Sequence, residues 1–303
     1  MKKYSVKLVV ALMRLLSKLP LRFHYAVSDI FSWIALHIFG YREDVVTVNI
    51  ARSFPDKKYS ELKELKKQFY RHFGEIFAEA VKFSGCTDYQ KLRKADLCET
   101  VFTPELAQAY DKGNGMMILT SHCGNWELLG GWFGYLPEGF TPAIREDKVR
   151  VVYKKLSNSF WNEVFAINRC APLLSKGFDG YIDSTRILRH ALQHKNDKLV
   201  YVFPTDQFPY KEATRHEIPD FMHQKTYAMT GGASLAHKLG MSVVYLRFES
   251  VRRGHYRMSY ETICDNASEM DPGEIMEKYY ALLQKDIEAQ PWNYLWSHKR
   301  WKQ

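Results

Sequence analysis

The chain is short of most features that would place it at a glance. Only five of its 303 residues are cysteine, an odd number with wide spacings and no C-x-x-C pair. That argues against a disulfide framework and a zinc module, so no metal is expected and a reducing compartment is. Glycine (17) and proline (11) form no linker-like stretch, and no internal repeat is visible. Collagen-like, low-complexity and disordered classes are therefore excluded. Mean hydropathy is −0.36 and no apolar run comfortably reaches ~20 residues, which excludes a polytopic membrane protein. Acidic residues are the minority, 34 against 43 Lys plus Arg, for a net charge of +9. The excess favours anionic partners: phospholipid headgroups, phosphorylated substrates or acidic proteins. Nucleic acid would suit the charge, but there is no helix-turn-helix, finger or RRM signature, so none is expected.

What is present is an apolar fraction of 46% and an aromatic fraction of 15%, enough for a large core or an apolar binding surface. Residues 1–24 carry six basic side chains and no acid. On a helix, Lys3, Lys7, Arg14 and Lys18 share one sector of about 60°, and most of the remainder is apolar. That pattern describes a helix lying in a membrane interface, ended by Pro20. A second apolar stretch runs from Ala26 to Gly40 with Asp29 inside it. It is short for a span, so residues 1–40 are expected to be an anchor dipping into one leaflet, with a single span possible. No small-residue cleavage site follows, which disfavours a signal peptide.

From residue 41 to 303 the pattern is that of one catalytic domain. Leu62, Leu65, Phe69, Phe73, Ile76, Phe77 and Ala80 recur at helical spacing, with Ser60 as cap and Gly85 as stop. Thr103-Pro104-Glu105 opens a short helix. Short apolar runs at 116–119, 199–203 and 243–246 read as buried strands, and Tyr256 to Tyr260 alternates like a half-exposed one. Helical patterns lie between and after them, at 183–194, 226–239 and 274–289. This alternation predicts an α/β fold, a sheet covered by helices.

Ligands of such sheets gather at the carboxyl ends of strands. After the first apolar run comes Thr120-Ser121-His122-Cys123-Gly124-Asn125-Trp126-Glu127. Gly124 allows a sharp turn and Asn125 can cap a following helix. His122 can take a proton near neutral pH, and Glu127 could fix its tautomer and stabilise its cation. The spacing alone means little, since chance yields about one His with an acid five residues on and the chain has two, His122–Glu127 and His24–Asp29. Only His122 follows a strand. Cys123 points away from its neighbour in extended chain and is a poor nucleophile for it. The Arg247, Arg252, Arg253, Arg257 cluster reads mainly as a solvated basic face.

These residues resemble the lipid A biosynthesis (late, lauroyl/myristoyl) acyltransferases, within the lysophospholipid acyltransferase superfamily and its H-x4-[DE] motif. Four further stretches are similar to that family. They are Tyr41-Arg42 through Asn49 to Ser53-Phe54-Pro55, Phe69 to Gly74, Thr205-Asp206-Gln207, and Gln290 to Lys302 with Pro291, Tyr294-Leu295-Trp296, His298 and Arg300-Trp301. Tyr153-Lys154 stands where the family often has Tyr-Arg, so a point charge replaces a fork. Asp220 to Thr226 replaces an FFG element.

The resemblance implies a mixed sheet and acyl transfer from a thioester, on acyl carrier protein or coenzyme A, to a hydroxyl of a phosphorylated glycolipid, a lipid A precursor. It implies no cofactor and a place on the cytoplasmic face of the bacterial inner membrane. His122 is the expected base, oriented by Glu127. Gly124 and Asn125 near the oxyanion, with Lys154, Asp206 and Gln207, are the expected substrate-binding residues. Alternatives are transfer to another membrane lipid such as an aminolipid or phosphoglycolipid, hydrolysis, and a non-catalytic membrane-binding protein.

Overall fold

The computed structural model describes residues 2–173, 180–209 and 215–301; Lys302 of the C-terminal motif lies outside them. The chain opens with helices α1 (Lys2–Leu16), α2 (Leu21–His37), α3 (Glu43–Ser53), α4 (Tyr59–Phe83) and α5 (Tyr89–Ala95). Then follow β1 (Cys98–Thr100), α6 (Pro104–Lys112), β2 (Met116–Thr120), β3 (Val149–Tyr153), α7 (Ser159–Arg169), β4 (Tyr181–Asp183), α8 (Ile187–Gln193) and β5 (Val200–Pro204). The remainder is β6 (Arg215–Ile218), β7 (Thr226–Met229), α9 (Gly231–Leu239), β8 (Ser242–Arg252), β9 (His255–Cys264) and α10 (Pro272–Ala289).

Seven strands form one mixed sheet in the order β1-β9-β8-β2-β5-β3-β4. Strands β8, β2, β5, β3 and β4 are parallel, and β9 returns antiparallel beside β8. The central strands are apolar on both faces because both are covered. Met117, Leu119, Tyr201, Val243 and Tyr245 face one core with residues of α9 and α10. Met116, Ile118, Val202, Val244 and Leu246 face a second core with Leu92, Leu106, Leu128 and Trp132.

Several expected boundaries move. Residues 226–239 were expected to be one helix. The first four instead form β7, which alternates buried and half-buried and pairs with β6, and the helix starts at Gly231. Likewise 183–194 is the end of β4 and then a shorter helix from Ile187. Ser60 lies inside α4, whose first turn is closed by the Glu61 carboxylate accepting from the Lys58 N–H (2.8 Å).

The two N-terminal helices pack on the body. A Cβ on Gly74 of α4 would stand 2.1 Å from Ser32 Oγ of α2, so glycine lets these helices close. Val6 and Val10 of α1 bury against Val164 of α7. The outer faces stay apolar and exposed, with Leu8, Leu12, Phe23, Ile30, Phe31 and Trp33 open to solvent. Among the described residues, no helix is long and apolar enough to cross a membrane.

The start of α3 meets the C-terminal segment. Arg42 donates to the Ser297 carbonyl (2.8 Å), and the Asn49 amide donates to those of Trp296 (2.8 Å) and His298 (2.9 Å). The first and last family-like stretches are thus two halves of one clamp, closed around a fully buried Trp296.

Candidate active site

Parallel pairing of β2 with β5 sets Thr120 against Pro204, and the Thr205 N–H donates to the Thr120 carbonyl (3.1 Å). Two residues past each strand end stand His122 and Asp206, so the register brings them side by side. Nδ1 of His122 lies 2.7 Å from Oδ1 of Asp206. The Asp206 carboxyl is almost fully buried, whereas 17% of the His122 side chain is exposed. Burial alone would raise the Asp206 carboxyl. The imidazole's charge and hydrogen bond outweigh that and hold it below its ordinary value of 3.8. An ionised carboxylate can only accept, so neutral His122 carries its proton on Nδ1 and presents a lone pair at Nε2. The Gln207 amide nitrogen sits 3.2 Å from Nε2 and donates to it. The Trp126 ring meets the imidazole edge-on, with centroids 5.1 Å apart.

Glu127 does not contact the imidazole as the sequence suggested; it forms a fork with Arg169 at the end of α7, at 2.9 and 2.7 Å. After His122 the chain turns at Gly124 (φ +65°) into a 3₁₀ segment, Trp126–Tyr135, rather than an α-helix. That tighter winding aims Glu127 toward α7. Burial works against the Arg169 charge, but the Glu127 carboxylate more than restores it.

Gly124 and Asn125 are committed to the protein itself. The Gly124 N–H donates to Asn293, to its carbonyl (3.1 Å) and to its side-chain oxygen (3.0 Å). A Cβ on Gly124 would fall 1.8 Å from the Phe248 ring. Asn125 caps the 3₁₀ segment by accepting from the Glu127 N–H (3.1 Å), while its amide donates to the Ile76 carbonyl (3.2 Å) and to Glu79 (2.8 Å). The Gly124 N–H, expected near the oxyanion, is thus taken by Asn293 instead. Lys154 is exposed just past β3, at the carboxyl edge shared with β2 and β5. Cys123 is buried and its thiol is pushed well up by that burial, so it is no nucleophile. The arginine cluster is paired with carboxylates, with Arg252 and Arg257 still open to solvent. Arg247 pairs with Asp286, Arg252 with Asp96, Arg253 with Asp29 and Glu75, and Arg257 with Glu99 and Glu249.

Beneath the loop lies Glu79, fully buried, accepting from the Tyr25 hydroxyl (2.7 Å) and the Asn125 amide. Burial raises its carboxyl above the ordinary 4.5, and the bonds from Asn125 and Tyr25 offset only part of that. A carboxyl raised in the folded state holds a proton that the unfolded chain has lost, so stability falls as pH rises from about 4.5 to the folded value. Glu79→Gln is expected to remove that slope, about 1.4 kcal/mol per pH unit, in denaturant titrations across this range. An unchanged slope would show that Glu79 does not carry it.

Against the sheet, under Leu129 and Gly130, lies a narrow apolar slot of about 40 Å³. Ile118, Val202, Leu246 and Met258 form its floor.

The site is thus a histidine–carboxylate pair at the ends of two neighbouring parallel strands, an arrangement that can take a proton from a hydroxyl. The sequence profile of the bacterial lipid A biosynthesis acyltransferases matches residues 1–303, and the chain belongs to that family. No curated protein matches it. Among solved structures it is similar to the 1-acyl-sn-glycerophosphate acyltransferase PlsC from Thermotoga maritima. That likeness has 9% identity over 88% of this chain and 97% of the other, with a TM-score of 0.36.

Proposed function

We propose that the protein moves a fatty acyl chain from an acyl thioester to a hydroxyl of a phosphorylated glycolipid, a lipid A precursor, with His122 as general base. The support is the hydrogen bond between His122 Nδ1 and Asp206, which leaves the Nε2 lone pair facing the Gln207 amide, where an acceptor hydroxyl can take the amide's place. The acceptor hydroxyl replaces Gln207 at Nε2 and gives up its proton there. Its oxygen attacks the thioester carbonyl, the C–O bond forms, the C–S bond breaks, and the proton passes from the imidazolium to the departing thiolate. The displaced Gln207 amide, with Lys154 at the same sheet edge, supplies donors for the oxyanion. Asp206 stabilises the imidazolium, and the Glu127–Arg169 fork fixes the loop that carries it.

The donor is acyl carrier protein, an acidic partner matched to the net charge of +9, with coenzyme A as the other thioester source. The exposed apolar faces of α1 and α2 fit a chain whose first 40 residues dock on the cytoplasmic face of the bacterial inner membrane, residues 41–303 carrying the catalysis. The acyl chain enters the slot, whose walls part to admit it, since the free volume there is only about 40 Å³. Val202→Phe, which fills its floor, is expected to shift preference to shorter acyl donors in competition assays, at a stability cost of about 1–3 kcal/mol. Unaltered chain selection would place the acyl chain elsewhere.

Purified enzyme given labelled acyl carrier protein or acyl-coenzyme A, with a bis-phosphorylated acyl disaccharide, a phosphoglycolipid or an aminolipid, tests the assignment. Ester formed on the disaccharide supports it. Ester only on another lipid, free fatty acid alone, or no turnover each overturns it.

A further inference from the structure

Where α1 lies on α7, their junction leaves an open groove of about 560 Å³. Lys7, Arg14 and Lys18 stand on its rim, and Val10, Ala11 and Ile167 make its floor. All three cations are exposed, and none forms an ion pair among the described residues. The nearest acid along α7, Glu163, one turn before Ile167, pairs with none of them. Elsewhere on this basic chain, Arg247, Arg252, Arg253 and Arg257 are each matched by a carboxylate. Three unmatched cations converging over an apolar floor are the chemistry of a site for an amphiphilic anion.

We infer that the α1–α7 groove binds the phosphate headgroup of an anionic glycerophospholipid of the host bilayer, a lipid that is not the substrate. The charge complement fits a phosphodiester, and the floor fits the first carbons of an acyl chain. Two observations favour a bilayer lipid over the phosphates of the acceptor. The groove borders the exposed apolar stripe of Leu8, Leu12 and Leu15 on the same helix, so a membrane met by that stripe brings headgroups to the rim. The pair His122 and Asp206 belongs to a different place, the carboxyl edge of β2 and β5. The inference rests on the reading of α1 and α2 as interfacial helices, and its test separates the two.

The full chain is mixed with vesicles of phosphatidylcholine alone and of phosphatidylcholine doped with phosphatidylglycerol. Binding to the neutral vesicles reports the interfacial helices. The gain on adding phosphatidylglycerol reports the groove and is expected to be on the order of 100-fold for three cations. A Lys7→Gln, Arg14→Gln, Lys18→Gln variant is expected to bind neutral vesicles as the wild type does and to lose most of the gain. A control with the exposed Lys63, Lys94 and Lys238 neutralised should keep it. In detergent, native mass spectrometry should find phosphatidylglycerol retained by the wild type in preference to phosphatidylcholine, and not by the groove variant. No binding to neutral vesicles defeats the interfacial reading. Binding without a phosphatidylglycerol gain, a gain the groove variant keeps or the control loses, or equal retention of the two lipids overturns the groove site. So does a groove variant whose only defect is acyl transfer to a phosphorylated acceptor in phospholipid-free micelles, which would assign the cations to the substrate.

Discussion

His122→Ala is expected to slow acyl transfer by on the order of 10²- to 10⁴-fold, the scale on which a positioned general base acts. The loss should fall on kcat, because removing the imidazole takes away the proton acceptor in the transition state and leaves the slot and the sheet edge as they were. The side chain is partly open to solvent and the strands that carry it are held by their own pairing, so folding should survive. Its removal does strand the buried Asp206 carboxylate, and a thermal melt beside the kinetics separates that cost from the chemical one. A loss under about threefold in a stably folded variant would remove His122 from the mechanism.

Asp206→Asn is expected to cost about 10²-fold or more in kcat. The asparagine keeps the shape but lacks the charge that stabilises the imidazolium. Its amide can also face Nδ1 as a donor, which would move the ring proton to Nε2 and block the base. Glu127→Gln provides the contrast. It loosens the fork with Arg169, whose side chain is 24% exposed, and should lower stability by up to about 3 kcal/mol while costing less in kcat. Denaturant unfolding and steady-state kinetics on both variants decide between them. If Glu127→Gln proves the worse in kcat with stability unchanged, Glu127 is the orienting carboxylate and the Asp206 contact is secondary. Because the Asp206 carboxyl is held below its ordinary value, it stays ionised down past pH 3.8, and its protonation should not set the acid limb of the rate profile above that.

Strands β2, β5 and β8 were legible because 116–119, 199–203 and 243–246 are short apolar runs, and the position of His122 at a strand end followed directly. The partner of His122 was not legible. The choice between Glu127 and Asp206 depends on the pairing of β2 with β5, which joins residues 84 apart, and on a 3₁₀ turn that local pattern does not distinguish from an α-helix. Arg169 had no local mark at all, since its partner is 42 residues away. Asn293 sat inside a family-like stretch, yet nothing along the chain told that it would accept the Gly124 N–H. Strand β7 was lost to helix because four alternating residues run straight into a helical pattern. Charge misled in the same way: the arginines near 250 looked free because, Glu249 aside, the acids that match them (Asp29, Glu75, Asp96, Glu99, Asp286) lie elsewhere in the chain.

The central claim is that the acceptor's own hydroxyl, deprotonated by His122, attacks the thioester with no acyl-enzyme between. Rapid-quench single turnover with a labelled acyl thioester measures thiol release and lipid ester formation on the same clock. The account predicts that the two rise together, and that no thiol is released when the acceptor lipid is withheld. A burst of thiol ahead of the ester, with the label on the protein, would contradict it.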